Sequence, residues 1–379
     1  MPSYSIQFRR GTSTDHSAFT GELAEITVDI TNNRIILHDG ETPGGIPIAK
    51  VSDVPVDVGD LSDDLSHIAA ANVPAVNWYG DRALVAGGSG VSTYKTIDYF
   101  DINTGGTATD WGELPIVRTG MTAMSDGTYA YIAGGGGTSV FVANISTTGS
   151  AVEFARHLDG GVSRYLSTQR IEPGSASDGT YGVIMGGDEG GTSWVLQNDQ
   201  ITFATAAHAV DHGDLTVARG HGDGGCGDGT YGLYGGGAIS NFVYEDTIDY
   251  LTIASAGNSQ DFGDLTIARR HIAALADETR GVFSGGTSTS AGYLNRMDYV
   301  TIASPGHATD FGDLIGPTGL IQHTGTSNDT YGVFTSGKPT QTTYGQDIHR
   351  FTIQTLGNTT DIGDLTQARE RAGATSGNA

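Results

Sequence analysis

Paired carboxylates are the first residues in this chain whose spacing could do chemistry. Asp261-Phe262-Gly263-Asp264 sets two acids three positions apart, as does Asp211-His212-Gly213-Asp214, and such a couple can serve as general acid and base. The arrangement returns at Asp310-Phe311-Gly312-Asp313 and Asp361-Ile362-Gly363-Asp364, and as Asp110-Trp111-Gly112-Glu113. Catalysis needs one set, so recurrence favours a structural role, in turns and in capping backbone N–H groups. Arg118, Arg170, Arg219, Arg269 and Arg369 recur in the same way, and we expect them to pair with these carboxylates.

Other reactive types offer less. A lone Cys226 excludes an intrachain disulfide and reads as a small buried residue in a strand. The eleven histidines show no local metal-ligand spacing, and no Asp-x-Asp-x-Asp run marks a calcium loop. Gly-rich runs near Gly134 and Gly235 lack the Lys-Ser/Thr and the helix of a phosphate loop. An arginine triad of the sialidase kind, or the Tyr, His and Cys set of a copper oxidase, would need one asymmetric cluster, and these residues are distributed. We therefore expect no enzyme, no cofactor and no resident metal.

The elements that must position these residues repeat every fifty residues or so, the mark of a repeat architecture. Six segments end in small residues at equivalent places, among them Ala83-Leu84-Val85-Ala86-Gly87-Gly88, Gly182-Val183-Ile184-Met185-Gly186-Gly187 and Gly281-Val282-Phe283-Ser284-Gly285-Gly286. Each repeat parses into four strands. The first is like Ala268–Leu275, and a hairpin such as Ser177-Asp178-Gly179-Thr180 follows it. The second ends in Gly-Gly, the third is like Thr247–Ile253, and the fourth is the Asp-aromatic-Gly-Asp stretch. Four strands per unit at this period describe a propeller blade. Gly-Gly, then Tyr250 with Phe262, Tyr299 with Phe311 and Tyr99 with Trp111, resembles kelch-type blades, with a longer Tyr-to-aromatic spacing. The C-terminal Ala368–Ser376 aligns with a first strand that has no blade to follow, so it should complete the first blade; His67-Ile68-Ala69-Ala70 competes for that place.

The N-terminal fifty residues differ. Gln7-Phe8-Arg9-Arg10-Gly11-Thr12, Gly21-Glu22-Leu23-Ala24, Asn33-Arg34-Ile35 and Asp39-Gly40-Glu41-Thr42-Pro43-Gly44-Gly45-Ile46-Pro47 resemble, in order and spacing, the N-terminal domain of phage tail-fibre and tropism-determinant proteins. That resemblance implies a small β domain, usually trimeric, at the virion-proximal end of a fibre or spike. Val54, Val58, Leu61 and Leu65 in the following linker suit a short helix, or a coiled coil of two or three chains.

Composition sets limits. The chain has 379 residues, 58 of them glycine, with 43 acidic and 19 basic residues and a net charge of -24. Such a surface repels nucleic-acid phosphates and anionic membranes. The N-terminus is no signal peptide, so the protein is expected to be made in the host cytoplasm and carried in a virion.

The expected fold is all-β: a virion-anchoring, trimerising β domain over 1–50, a linker over 51–75, and a six-bladed kelch-like β-propeller over 76–379 closed by the C-terminal strand. The segments after Gly-Gly vary most between repeats, and a rigid scaffold with divergent loops is how binding surfaces are built. Trp194, Phe242, Tyr244, Tyr293 and Tyr344 lie there and are the receptor-binding candidates, suited to stacking on host glycan. The simpler reading is that these aromatics begin the third strand. The expected partners are further copies of this chain in a homotrimer, other virion proteins, and a host-surface glycan. A capsid head fibre without a receptor role, or a glycan-degrading tailspike, are the alternatives.

Overall fold

The computed structural model describes residues 9–17, 19–20, 26–31, 34–38, 41–43, 46–50, 78–154, 165–190, 193–205, 208–222, 224–240, 243–316 and 319–378. The linker heptads, His67–Ala70 and Phe242 lie outside them. The chain divides into two compact units, Met1–Ala75 and Val76–Ala379.

The described part of the first unit is one four-stranded sheet in the order Arg9–Gly11, Ile26–Asp29, Arg34–Leu37, Ile46–Lys50. The first pair is parallel and the others antiparallel. A parallel neighbour needs a crossover, and here it contains the short helix Ser13–Ser17, which the sequence reading did not anticipate. Thr12 and Asp15 cap each other: the Thr12 N–H donates to Asp15 Oδ2 at 2.8 Å and the Asp15 N–H to Thr12 Oγ1 at 3.2 Å. Beneath it, His16 Nε2 and His38 Nε2 each lie 2.9 Å from the buried Thr27 hydroxyl.

The second unit is all-β. Among its described residues stand six four-stranded antiparallel sheets, with small two-stranded ribbons beside them. Their first strands are Met121–Ser125, Gly174–Ser177, Gly224–Gly227, Ala273–Ala276, Thr324–Ser327 and Gly373–Gly377. Each touches the next in that order, and Gly373–Gly377 touches Met121–Ser125. Small residues make this close approach feasible: a Cβ on Gly225 would stand 2.2 Å from the Ser175 nitrogen. Ala123, Ser175, Gly225, Ala274, Gly325 and Ala374 line a narrow cavity among the six strands, and Trp78 and Tyr79 line it at the end where the chain enters this unit.

The sixth sheet joins both ends of the unit. Gly373–Gly377 pairs antiparallel with Arg82–Ala86, Thr375 facing Leu84, and Arg82–Ala86 pairs with Thr96–Asp101 on its other side. The competing segment His67–Ala70 is not needed for that position.

The turn chemistry follows the sequence closely. Asp126, Asp178, Asp228 and Asp277 each accept backbone N–H bonds two and three residues on, and Asn328 does the same in the remaining described hairpin of this kind. In the outer strands Asp110, Asp211, Asp261 and Asp361 accept from the glycine two residues later, so these acids are spent on their own backbone. That glycine sits in a bulge where the register shifts. Gly263 has φ +145°, and a Cβ there would lie 2.4 Å from the Gly306 carbonyl oxygen of the neighbouring sheet. Gly263→Ala therefore meets both backbone strain and backbone atoms. We expect it to destabilise the unit by roughly 2–3 kcal/mol, read as a lowered urea midpoint with unchanged slope.

Two expectations need correction. The first strand of the fifth repeat begins at Ala273, not at Ala268, because His271 has φ +58° and a left-handed residue cannot continue a strand. The repeat arginines do not pair with the Asp-aromatic-Gly-Asp acids, which face solvent. Four of the arginines pair with an aspartate of the third strand: Arg170 with Asp199 at 3.0 Å, Arg219 with Asp249 at 3.1 Å, Arg269 with Asp298 at 3.1 Å and Arg369 with Asp98 at 3.0 Å, whereas Arg118 lies over the Phe141 ring at 5.4 Å. All eight paired residues are buried. Each guanidinium also donates to carbonyls at the end of the second strand or the start of the third, as Arg219 does to Thr247 and Tyr234. In the sheet of Thr324–Ser327 both partners are replaced together, by Leu320 and a buried His349.

Candidate functional site

One to three residues before each first strand stands a left-handed residue. Glu172, His221, His271, Gln322 and Arg371 have φ between 52° and 58°, and Gly120 has φ 74°. Non-glycine residues adopt this conformation at a cost, so five in register call for compensation. Backbone bonds supply it. Glu172 N donates to Gly120 O, Gly120 N to Arg371 O, Arg371 N to Gln322 O, Gln322 N to His271 O and His271 N to His221 O, at 2.7–3.1 Å.

The side chains of this ring converge on one carboxylate. Glu172 is fully buried. Its Oε1 lies 2.7 Å from Arg371 Nε and accepts from Gln322 Nε2 at 3.0 Å. Its Oε2 lies 2.6 Å from His221 Nδ1 and 3.2 Å from His271 Nδ1. Burial opposes its charge, but the electrostatic pull of His271, the hydrogen bond from His221 and the Arg371 guanidinium together hold its carboxyl well below the usual carboxylate range. His271 shifts downward because burial disfavours the imidazolium. Glu172 is thus a fixed anion, poorly suited to donate a proton at neutral pH.

Sequence reasoning missed this cluster. Glu172, His221 and His271 are about fifty residues apart, so no local spacing reveals them. The signal is their register: each stands two positions after a repeat arginine, at Arg170, Arg219 and Arg269.

Around the ring lie the segments that follow Gly-Gly. Backbone bridges tie them to the ring's own connections: Asp188 to Ile171, Ala238 to Gly220, Thr287 to Arg270, Lys338 to Ile321 and Ser89 to Glu370. Four of the five candidate aromatics lie in these segments, each half-buried. Trp194 meets His221 edge to face, ring centroids 5.0 Å apart, and a Cβ on Gly220 would stand 2.4 Å from the indole. Tyr244 lies under the Arg270 guanidinium at 4.8 Å and Tyr344 under Lys338 at 5.3 Å. Tyr293 pairs with Thr287 in a two-stranded ribbon. These rings therefore precede the third strand and do not begin it. Tyr94, which sequence reasoning did not single out, has Arg369 over its ring at 5.7 Å. Beside Trp194, the buried Asp188 lies 3.9 Å from His221 Nε2.

Cys226 is buried, and burial raises its thiol pKa, which leaves it protonated and unreactive.

The N-terminal segment is identified by comparison. Residues 6–42 match the model of the family described as major tropism determinant N-terminal domain, and this match lies wholly before the six sheets. Over 48 residues the chain is 50% identical to the tail fiber receptor-binding protein of Bordetella phage BPP-1. That stretch covers 13% of this chain and 13% of the relative's length.

Proposed function

We propose that this chain is a receptor-binding protein of a phage tail fibre or spike, and not an enzyme. Residues 1–50 anchor it in the virion and form a homotrimer, 51–75 link, and 76–379 form a closed six-bladed kelch-like propeller. The cyclic contact of the six first strands and the pairing of Gly373–Gly377 with Arg82–Ala86 support that closure. The observation that carries the functional reading is the set of half-buried rings Trp194, Tyr244, Tyr293 and Tyr344, gathered round a polar centre on a unit that follows a tail-fibre N-terminal segment.

Aromatic faces beside cations and hydroxyls suit a host glycan, which offers C–H faces for stacking and hydroxyls for hydrogen bonding. The occupied outer-strand acids, the protonated Cys226 and the low-pKa Glu172 support a binding role over hydrolysis. Phe242 belongs to the same segment of the sequence and shares the proposal.

The test uses the full chain. It should compete with phage adsorption to host cells and bind host surface polysaccharide without releasing reducing ends. Trp194→Ala should weaken that binding roughly ten-fold, about 1.4 kcal/mol, with Tm held within a few degrees. Release of reducing ends would make it a tailspike enzyme. Failure to bind or compete would favour a head fibre. Light scattering should give three copies, and a monomer at micromolar concentration would refute the trimer.

A further inference from the structure

We propose that Glu172, His221 and His271 form a binding site for a divalent transition ion of the zinc class. His221 Nδ1, His271 Nδ1 and a Glu172 carboxylate oxygen all lie within 4.8 Å of one another. Two imidazoles and one carboxylate are a donor set that zinc, cobalt and nickel accept and that calcium and magnesium, which take oxygen, do not. Donors bound about 2.0–2.2 Å from an ion stand roughly 3.2–3.5 Å apart at tetrahedral angles. The His271 contact, at 3.2 Å, already has that spacing. The His221 contact, at 2.6 Å, must widen, and His221 is the more exposed ring, its side chain 17% accessible.

A second observation points to a ligand. The His271 side chain is 8% accessible, and its Nδ1 meets Glu172 at 3.2 Å in poor hydrogen-bond geometry. A buried ring nitrogen left in that state is costly, and coordination would satisfy it. The surrounding groups orient the donors as outer partners do at metal centres. Gln322 and Arg371 occupy Glu172 Oε1, which leaves Oε2 on the histidine side. Asp188 lies 3.9 Å from the outer nitrogen of His221, placed to hold a proton there once Nδ1 turns its lone pair to an ion. Binding needs a lone pair on each Nδ1, so any proton held there must leave or move to the other ring nitrogen. Arg371 lies against the opposite carboxylate oxygen, so its charge limits affinity to roughly the micromolar range without blocking the donors.

This site is independent of the receptor reading, and its test does not use receptor binding. Untagged full-length protein would be stripped with chelator, and zinc chloride then added to about 100 µM. We expect one ion per chain by calorimetry and a rise in Tm of roughly 3–6 °C. Cobalt chloride should give visible absorption bands of a low-coordinate nitrogen–oxygen site. His221→Ala should abolish the bands and the rise in Tm while the metal-free protein stays folded; His271→Ala should do the same if it folds. No Tm shift and no cobalt band at millimolar ion would overturn the proposal, as would an equal response in His221→Ala, which would place the ion elsewhere.

Discussion

A chain ending at Ala372 is expected to lose cooperative folding of the second unit, or to melt at least about 10 °C lower. The truncation removes Gly373–Gly377, the only described first strand that closes the sheet of Arg82–Ala86. Ala83, Leu84, Val85 and Ala86 are buried, none more than 2% exposed, and would lie beside an open edge. Each lost ladder bond contributes roughly 1 kcal/mol, and an unprotected edge invites pairing between chains. Met121–Ser125 and Thr324–Ser327 would lose their shared neighbour as well. Calorimetry and light scattering of the truncated chain check this. A single transition within 2 °C of the intact protein would show that the C-terminal strand is dispensable.

The second large effect is expected at the buried ion pairs. Asp249→Ala leaves the Arg219 guanidinium with no counter-ion, 0% exposed. It also removes the acceptor of the Thr216 hydroxyl and N–H. An uncompensated buried charge costs about 3–5 kcal/mol, so Tm should fall by roughly 6–12 °C. Removing both charges should cost much less, because an apolar pair avoids the desolvation of two ions. The protein already contains that exchange, at Leu320 and His349. Arg219→Leu with Asp249→His should therefore recover most of the stability lost in Asp249→Ala. If the double variant is no better than the single one, the Arg–Asp pairs contribute specific hydrogen bonds and not mere charge balance.

What could be read in advance divides along physical lines. Turns such as Asp178-Gly179 announce themselves locally, because one side chain caps the N–H groups two and three residues on and glycine takes the positive φ. The unpaired C-terminal strand came from counting repeats, and its partner followed. The arginine partners were misassigned because two aspartates per repeat were available and only burial separates them: Asp249 sits in the third strand's inner face, whereas Asp261 points outward. The helix Ser13–Ser17 is one turn long and held by Thr12 and Asp15, too short for any periodicity to show. Glu172, His221 and His271 were hidden because what unites them is a shared left-handed backbone, which brings positions fifty residues apart to one point. The candidate aromatics were legible as variable positions, but not the cations Arg270 and Lys338 that cover two of them.

Arg82–Ala86 lies between two antiparallel neighbours, Gly373–Gly377 and Thr96–Asp101, and is the first strand after the chain enters this unit. Tension drawn through the N-terminal side therefore reaches it lengthwise. Ladder hydrogen bonds run across a strand, so both flanking sets resist such a pull together, in shear. A strand at an open edge, drawn sideways, would instead unzip one bond at a time. If the protein holds a particle to a surface, as proposed, drag on that particle would load the sheet in the geometry that yields last.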